Sequence, residues 1–230
     1  MSPPDSLRAS SRLALVAAAL MLAMVAGAVA GGGVTQQHFE RAFEPRAWNQ
    51  ELAAAAAGTL RWILYFDNLF VIAFSACLVM AARGLQALRP HPLGFVAVGC
   101  LLATALLDFG ENLHLQVGVQ RLMEFPNGLW ADRGEIELWS LLSLMKWHLA
   151  YAGLFAFSFL LVQVTALERL LVWSLRLGLV PVGVAVGVLG EREAQPLEVA
   201  RLALMFFGFL MLAAALKGAA SRATRVPPPG

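Results

Sequence analysis

Long apolar stretches alternate with shorter polar connections along this chain of 230 residues. Each stretch runs roughly 18 residues or more with few charges, about the length that a helix needs to cross a hydrocarbon layer of ~30 Å. The alternating pattern of a membrane β-barrel is absent from the sequence, so helices are the spanning structure that it favours. The pattern predicts an all-α polytopic transmembrane helix bundle with six spans, at roughly 12–31, 60–82, 93–114, 137–163, 169–189 and 197–217.

The first stretch has two interpretations. Arg8 and Arg12 precede a short Leu/Ala/Met run that ends in Ala28-Val29-Ala30, which is also typical of a cleavable signal peptide. The alternative is an uncleaved first span of a polytopic protein. Cleavage would leave five spans and would not change the topology predicted for the rest of the chain.

The composition indicates that lipid is the solvent of this protein. Hydrophobic residues make up 59% of the chain and charged residues 14%, and the mean hydropathy is +0.69, more apolar than an ordinary soluble domain. These values exclude a disordered chain, a disulfide scaffold and a nucleic-acid-binding domain. Cys77 and Cys100 lie in apolar stretches without Cys or His at metal-ligand spacing. We therefore predict no cofactor and no metal.

The Lys and Arg residues outside the spans predict the orientation, because cytoplasmic connections usually carry more of them. With a cytoplasmic N-terminus, eight lie on the cytoplasmic side and five on the opposite side. The cytoplasmic set is Arg8, Arg12, Arg83, Arg89, Arg169, Lys217, Arg222 and Arg225, and the outer set is Arg41, Arg46, Arg121, Arg133 and Arg192. The sequence thus predicts a multi-pass protein of the cell membrane with both termini in the cytoplasm.

This orientation fixes the predicted organisation of the chain. Residues 1–11 form a cytoplasmic N-terminus, residues 12–217 a single membrane domain, and residues 218–230 a disordered cytoplasmic tail. The two longest connections, 32–59 and 115–136, lie outside and are long enough to fold over the outer mouth of the bundle. Within the first of them, the alanine-rich run after Glu51 predicts a short helix that ends before Gly58.

Charged and amide side chains occur inside three neighbouring spans, although insertion costs ~2.5–3.5 kcal/mol for each charge. Such residues usually face the protein interior and often mark function. They therefore form a candidate ligand-binding or polar cluster. Its members are Asp67 and Asn68 in the second span, Asp108, Glu111, Asn112 and His114 at the end of the third, and Lys146 and His148 in the fourth.

Helix geometry places most of this cluster at one level. At ~1.5 Å per residue, Asp67 lies ~10 Å, Asp108 ~8–9 Å and Lys146 ~13 Å from the outer end of its span. Asp108 and Glu111 share one helix face with Asn112, at positions i, i+3 and i+4. The cluster is therefore predicted in the outer third of the membrane, beneath the two long connections.

The charges of the cluster do not balance. Asp67, Asp108 and Glu111 oppose one firm cation, Lys146, which shares its face with small residues and is predicted to point into the bundle. We expect Asp67 or Asp108 to pair with Lys146, and Glu111, as the shallower carboxylate, to be hydrated. His148 lies about 200° around the helix from Lys146 and is predicted to face elsewhere.

The arrangement of these residues resembles a loose set of bacterial multi-pass membrane proteins of uncharacterised activity. The resemblance covers roughly residues 60–155 and depends on an Asp in one span, an Asp-x-x-Glu-Asn motif in the next and a Lys in the following span. The matching residues are Asp67, Asp108, Glu111, Asn112 and Lys146. It implies a bacterial inner-membrane location and that these five residues form one unit, and it implies no activity.

Several roles for the cluster stay open at this point. It can bind a small polar group such as a lipid headgroup that enters from outside, or serve an acid/base enzyme that acts on a lipid or isoprenoid. No established catalytic signature is present in the sequence, so no catalytic residue is assigned. It can also be a structural network that fixes helix neighbours, with no ligand at all.

Transport, metal binding and assembly complete the alternatives. A proton-coupled transporter needs a polar route past Arg176 in the fifth segment. Glu111 and His114 have the Glu-x-x-His spacing of di-iron bundles, but a second such motif is missing from the sequence. Small residues such as Gly27 and Gly31 at a four-residue spacing favour contact with a partner helix of another membrane protein or within this one. The expected partners are thus the lipid bilayer, a small polar or lipid ligand and a membrane-protein partner, and no nucleic acid.

Overall fold

The structure is a computed structural model in which helices account for 85% of the chain. It describes residues 1–32, 34–56, 58–125, 128, 130–188 and 191–225. The described residues contain no β-strand, which confirms the predicted all-α class. The predicted outer cation Arg192 and residues 226–230 of the predicted tail fall outside the side chains and residues that the structure describes.

Eight α-helices follow one another along the described chain. They are α1 Pro3–Ala30, α2 Pro45–Ala56, α3 Leu60–Leu88, α4 Leu93–Glu124, α5 Arg133–Phe157, α6 Ala166–Trp173, α7 Val180–Val188 and α8 Glu191–Ala223. A 3-10 turn, Gln36–Glu40, precedes α2, and a π-helical turn, Ser174–Leu179, joins α6 to α7.

Five helices of the described chain are long and apolar enough to cross a membrane, so the chain is a membrane protein. They are Pro3–Ala30, Leu60–Leu88, Leu93–Glu124, Ala166–Val188 and Pro196–Ala223. The remaining predicted span corresponds to α5, which has 25 residues and ends at Phe157 instead of 163. It falls below the hydropathy of the other five because Ser140, Ser143, Lys146 and His148 interrupt its apolar sequence.

The sequence predicts one membrane domain over 12–217, whereas the contacts group the residues into two compact units. The first unit comprises Met1–Ala18, Ile72–Thr104 and Trp147–Gly230, and the second comprises Ala19–Val71 and Ala105–Lys146. Each of the helices α1, α3, α4 and α5 contributes residues to both units.

Hydroxyl groups on α1 join three helices of the first unit. Ser6 Oγ donates to the Met80 carbonyl of α3 at 2.8 Å, and Ser11 Oγ donates to the Ala213 carbonyl of α8 at 2.7 Å. Interhelical hydrogen bonds of this kind contribute on the order of 0.6–2 kcal/mol each within a membrane. They explain why serines lie on the buried side of this otherwise apolar helix.

Two arginines of the first unit contact aromatic rings. The guanidinium of Arg176 lies 3.9 Å from the ring centre of Phe159, and its Nε donates to Ser158 Oγ at 2.8 Å. The guanidinium of Arg201, a residue that the sequence places at the end of a span, is buried and lies 4.0 Å from the ring centre of Trp147. Cation–π contacts offset part of the cost of placing these charges in an apolar bundle.

The last helix is longer than the sequence predicts. It continues to Ala223, so residues 218–223 of the predicted disordered tail are helical. Arg222 stabilises this extension, because its guanidinium pairs with the buried carboxylate of Glu168 on α6. Glu168 also completes a capping box with Thr165 at the start of α6.

In the second unit, the connection between α1 and α3 is folded and buries several apolar side chains. Its helix α2 begins at Pro45, ahead of the alanine-rich run that predicts a helix, and Glu44 accepts the backbone N–H groups of Ala47 at 2.7 Å and Arg46 at 3.1 Å. These hydrogen bonds lower the pKa of Glu44 below its ordinary value. Buried side chains from this connection and from α3, α4 and α5 form one core: Phe39, Trp48, Leu52, Leu60, Leu64, Leu115, Val119, Leu122, Ala131 and Ile136.

Asn49 ties the two long connections together. This buried side chain donates through Nδ2 to the carbonyls of Pro45 at 2.7 Å and Ala131 at 2.8 Å. Its Oδ1 accepts the backbone N–H groups of Trp130 at 2.7 Å and Ala131 at 3.1 Å. One amide therefore makes three hydrogen bonds from α2 to the backbone just before α5, and a fourth within α2.

We predict that Asn49→Leu loosens this part of the second unit. The substitution keeps the volume but leaves the Trp130 and Ala131 backbone groups without a partner, so the free energy of unfolding falls by on the order of 3 kcal/mol. Hydrogen exchange of residues 45–56, measured by mass spectrometry in detergent, becomes faster. The exposed neighbour Gln50 provides the control, and equal exchange in Asn49→Leu and Gln50→Leu would contradict the prediction.

Candidate polar site within the membrane bundle

Three carboxylates surround the ammonium of Lys146. Its Nζ donates to Glu111 Oε2 at 2.5 Å, to Asp108 Oδ1 at 3.0 Å and to Glu40 Oε1 at 3.0 Å. The side chains of Lys146, Glu111 and Glu40 are 4%, 6% and 10% exposed, and that of Asp108 is 16% exposed. These four residues form the centre of a largely buried ionic network, which we call the Lys146 cluster.

A fourth carboxylate and two amides extend the Lys146 cluster. Asn112 Nδ2 donates to Asp67 Oδ2 at 2.6 Å and to Asn68 Oδ1 at 3.2 Å, which joins α4 to α3. Asp67 and Asn112 are both buried. Asp67 lies near enough to Asp108 for the two carboxylates to repel each other. Six of the eight predicted site residues therefore meet in one network, together with Glu40.

Local helix geometry explains this convergence. Asp108, Glu111 and Asn112 stand at i, i+3 and i+4 on α4, so all three project from one face. Asp67 and Asn68 are consecutive on α3, and Asn112 reaches both. Lys146 supplies the long side chain from α5 that spans the remaining gap to α4.

Of the two residues predicted to pair with Lys146, Asp67 and Asp108, the structure pairs Asp108 with it, whereas Asp67 binds Asn112. The prediction for Glu111 is wrong. Glu111 was expected to be shallow and hydrated, and instead it is 5% exposed and in contact with Lys146. The depth of Glu111 follows from the length of α4, which runs on to Glu124 instead of ending near residue 114. The carboxylate is thus well inside the helix and covered by the folded connections.

Glu40 is the residue that the sequence analysis missed. It ends the 3-10 turn Gln36–Glu40, in a connection predicted as an outer surface segment. Its neighbour Phe39 is buried against Trp48 at a ring-centre distance of 5.5 Å. This hydrophobic contact anchors the turn so that Glu40 reaches Lys146. No sequence signal near Glu40 identifies it, because the contact bridges 106 positions of the chain.

His114 contacts two tryptophans and is not a member of the hydrogen-bonded Lys146 cluster. Its ring stacks on Trp139 with a centre distance of 4.6 Å and contacts Trp130 at 5.6 Å. Its Nδ1 lies 3.6 Å from Glu135 Oε1. Gly118, one turn further along α4, makes room for Trp130, since a Cβ there would lie 2.5 Å from the indole Nε1.

His148 differs from the other predicted site residues. It is exposed on α5 and belongs to the first unit, whereas Lys146 is buried and belongs to the second. The two residues lie on different faces of one helix, in agreement with their two-residue spacing. All residues of the Lys146 cluster therefore belong to the second unit.

The Lys146 cluster carries more negative than positive groups. Glu40, Asp67, Asp108 and Glu111 are four carboxylates against the single ammonium of Lys146. Desolvating unbalanced charge costs several kcal/mol per ion, more than the attraction within one ion pair recovers. Additional positive charge at this site, either protons on the carboxylates or a bound cation, would therefore lower its electrostatic energy.

Buried polar atoms without a hydrogen-bond partner flank the Lys146 cluster. Within the described chain they include Asn112 Oδ1, His114 Nε2 and Ser143 Oγ. Asn112 adjoins Glu111 in the sequence, His114 lies three residues beyond Glu111, and Ser143 lies three residues before Lys146. Buried groups in this state cost about 1–3 kcal/mol each. All three belong to α4 or α5, within three residues of Glu111 or Lys146 in the sequence.

The described residues do not form a metal centre. No group of three or more His, Cys, Asp or Glu side chains in the described ranges is arranged to hold a metal ion. The reason is visible at the Lys146 cluster, where the ammonium occupies the point on which the carboxylates converge. Glu111 and His114 of the Glu-x-x-His motif do not face a common point either, because Glu111 binds Lys146 and His114 stacks on Trp139.

Comparison with protein-family models, with curated proteins and with solved structures finds no match to this chain. The role of the site is therefore inferred from its own residues and their geometry.

Removing the cation of the Lys146 cluster is predicted to destabilise the protein much more than removing one of its carboxylates. Lys146→Met leaves the carboxylates uncompensated and lowers the free energy of unfolding by about 3–5 kcal/mol. Glu40→Gln removes one surplus negative charge but keeps a hydrogen-bond acceptor near Lys146, so the loss is below about 1 kcal/mol. Unfolding in detergent, followed by tryptophan fluorescence, measures both. Glu137→Gln, at an exposed carboxylate on α5, is the control, and similar losses in Glu40→Gln and Lys146→Met would contradict the prediction.

Proposed function

We propose that this chain is an integral membrane protein that takes up a small positively charged species, a proton or an ammonium group, at the Lys146 cluster. The observation that carries this proposal is the excess of carboxylates over cations: Glu111 and Asp67 are buried, Glu40 and Asp108 are half-buried, and Lys146 supplies the one ammonium among them. The same count argues against an anionic ligand. Lys146 already donates to three carboxylates, so its ammonium has no N–H group left to donate to a phosphate. The unpartnered atoms of Asn112, His114 and Ser143 supply polar contacts for the species that binds.

A purely structural role is the second candidate, and direct contact between Lys146 and its carboxylates favours it. An ion-pair network of this kind fixes which helices are neighbours. It does not require surplus carboxylates, however, and replacing buried ion pairs by apolar residues is often neutral or stabilising. The excess of negative groups is therefore the feature that separates a binding site from a structural network.

Enzymatic and transport roles receive less support from the geometry. An acid/base enzyme of the kind considered above would use Lys146 to stabilise a developing anion, but that ammonium is held by Glu40, Asp108 and Glu111. A transporter would need a polar route past Arg176. The Arg176 side chain instead binds Ser158 and the face of Phe159.

We predict that the Lys146 cluster contains protonated carboxyl groups that exchange with the medium. Infrared difference spectroscopy of the protein in nanodiscs, titrated from mildly acidic to alkaline pH, should show a protonated-carboxyl stretching band that disappears as the pH rises. The band should weaken in Glu111→Gln and Asp67→Asn and persist in Glu137→Gln. A fully ionised cluster at every pH, with no titrating band, would favour the structural role.

The same measurement distinguishes the two cationic species. Addition of ethylammonium chloride should reduce the band at constant pH if an ammonium group displaces the protons of the cluster. Sodium chloride at equal ionic strength is the control for screening. A band that responds to pH and not to ethylammonium identifies the proton as the species that binds.

We also propose that the Lys146 cluster opens toward the extracytoplasmic side of the cell membrane and that both termini are cytoplasmic. The excess of Lys and Arg in the alternate connections supports this orientation. A phosphatase reporter inserted after Arg89, between α3 and α4, is expected to be inactive because that connection is cytoplasmic. The same reporter inserted after Gln50, in the connection that contains α2, should be active, and the reverse pattern would invert the topology.

A further inference from the structure

A groove with a volume of about 580 Å³ lies between the beginning of α3 and the end of α4, within the second unit. Its floor includes Leu64 and Val119, which are 0% and 3% exposed. Polar side chains line it above this apolar floor: Arg61, Tyr65, Gln116, Gln120 and Glu124. The volume lies within the range of ~300–1,000 Å³ that is typical of small-ligand sites.

Four polar side chains of this groove have no partner among the described residues. Arg61, Gln116, Gln120 and Glu124 make no hydrogen bond or ion pair with any other residue of the described chain. A guanidinium, two amides and a carboxylate are therefore free at one site. This differs from the Lys146 cluster, in which the cation is already neutralised.

Helix periodicity makes the polar lining continuous. Gln116, Gln120 and Glu124 follow one another at intervals of four residues along α4, so they project from one face. Arg61 and Tyr65 have the same spacing on α3. The groove thus presents a cation on one helix and a carboxylate on the other, with amides along its length.

The groove has features that are typical of the membrane–water interface. Helix α3 begins at Leu60 and helix α4 ends at Glu124, so the groove lies at the ends of two spanning helices. Trp62 is 65% exposed and Tyr65 is 55% exposed next to it. Exposed Trp and Tyr side chains at helix ends are typical of the headgroup level of a bilayer.

We propose that this groove binds the headgroup of a zwitterionic phospholipid. The phosphate is held by the Arg61 guanidinium and by N–H groups of the Gln116 and Gln120 amides, which are donors suited to phosphate oxygens. The ammonium of the headgroup is balanced by the Glu124 carboxylate. The glycerol region lies on the apolar floor formed by Leu64 and Val119. An anionic headgroup without an ammonium would leave Glu124 facing a like charge, so the site selects against it.

This inference is independent of the proton or ammonium uptake proposed for the Lys146 cluster. Asn68 and Asn112, which hydrogen bond at 3.2 Å, are the members of that cluster nearest in sequence to the groove. Asn112 precedes Gln116 by one helical turn, and Asn68 follows Tyr65 by three residues. Substitutions at the outer residues Arg61 and Glu124 therefore leave the carboxylates around Lys146 unchanged.

The test measures lipid binding to the purified full chain by native mass spectrometry in detergent. Phosphatidylethanolamine, phosphatidylcholine and phosphatidylglycerol with identical acyl chains are added separately. The wild-type protein should bind the two zwitterionic lipids at least tenfold more tightly than phosphatidylglycerol. Arg61→Gln should weaken binding of all three lipids, and Glu124→Gln should remove the preference over phosphatidylglycerol.

Arg121→Gln is the matched control, because Arg121 is exposed at the same end of α4 but does not line the groove. It should retain wild-type lipid binding and unfolding temperature. Equal affinity of the wild type for zwitterionic and anionic lipids would overturn the proposal. So would unchanged binding in both Arg61→Gln and Glu124→Gln, or a loss in Arg121→Gln as large as in Arg61→Gln. The infrared titration of the Lys146 cluster should be the same in all three variants, so that the two proposals can fail separately.

Discussion

The ammonium of Lys146, enclosed by carboxylates, is the interaction on which the second unit depends. Glu40, Asp108 and Glu111 come from a connection and from one spanning helix, and Lys146 comes from another helix. None of these side chains is stable alone in an apolar bundle, since an isolated charge there costs several kcal/mol. The 3-10 turn, α4 and α5 are therefore held together by one ion. The hydrophobic core around Trp48 stabilises the same arrangement.

Much of this arrangement follows from local periodicity, and those parts of it can be predicted from the sequence. Five spans follow from their hydropathy, and the polar face of α4 follows from the spacing of Asp108, Glu111 and Asn112. The pairing of Asp108 with Lys146 follows from their similar depth in adjacent helices. The error at Glu111 has a single cause. The apolar pattern predicts that the helix ends near residue 114, which makes Glu111 shallow. The helix instead continues through the following polar residues to Glu124.

Contacts made by the connections could not be predicted in this way. Glu40 reaches Lys146 because Phe39 packs on Trp48, and Asn49 satisfies three backbone groups of Trp130 and Ala131 just before α5. Each contact joins residues far apart in the chain, and each depends on a turn whose sequence resembles an ordinary polar loop. Gly118 gives a weak signal in retrospect, because a glycine in the middle of an apolar helix often marks the close approach of another group, here Trp130.

The two polar features of the second unit have opposite electrostatic needs, and this difference decides which ligands each can accept. At the Lys146 cluster the cation is fully engaged and carboxylates are in excess, so only added positive charge lowers the energy. In the groove, Arg61 and Glu124 are both unengaged, so a ligand with separated positive and negative groups satisfies both. A phosphate near the Lys146 cluster would add to an existing excess of negative charge. Under the two proposals, the phosphate of a lipid binds at the helix ends, and only a small cationic species binds at the carboxylates around Lys146.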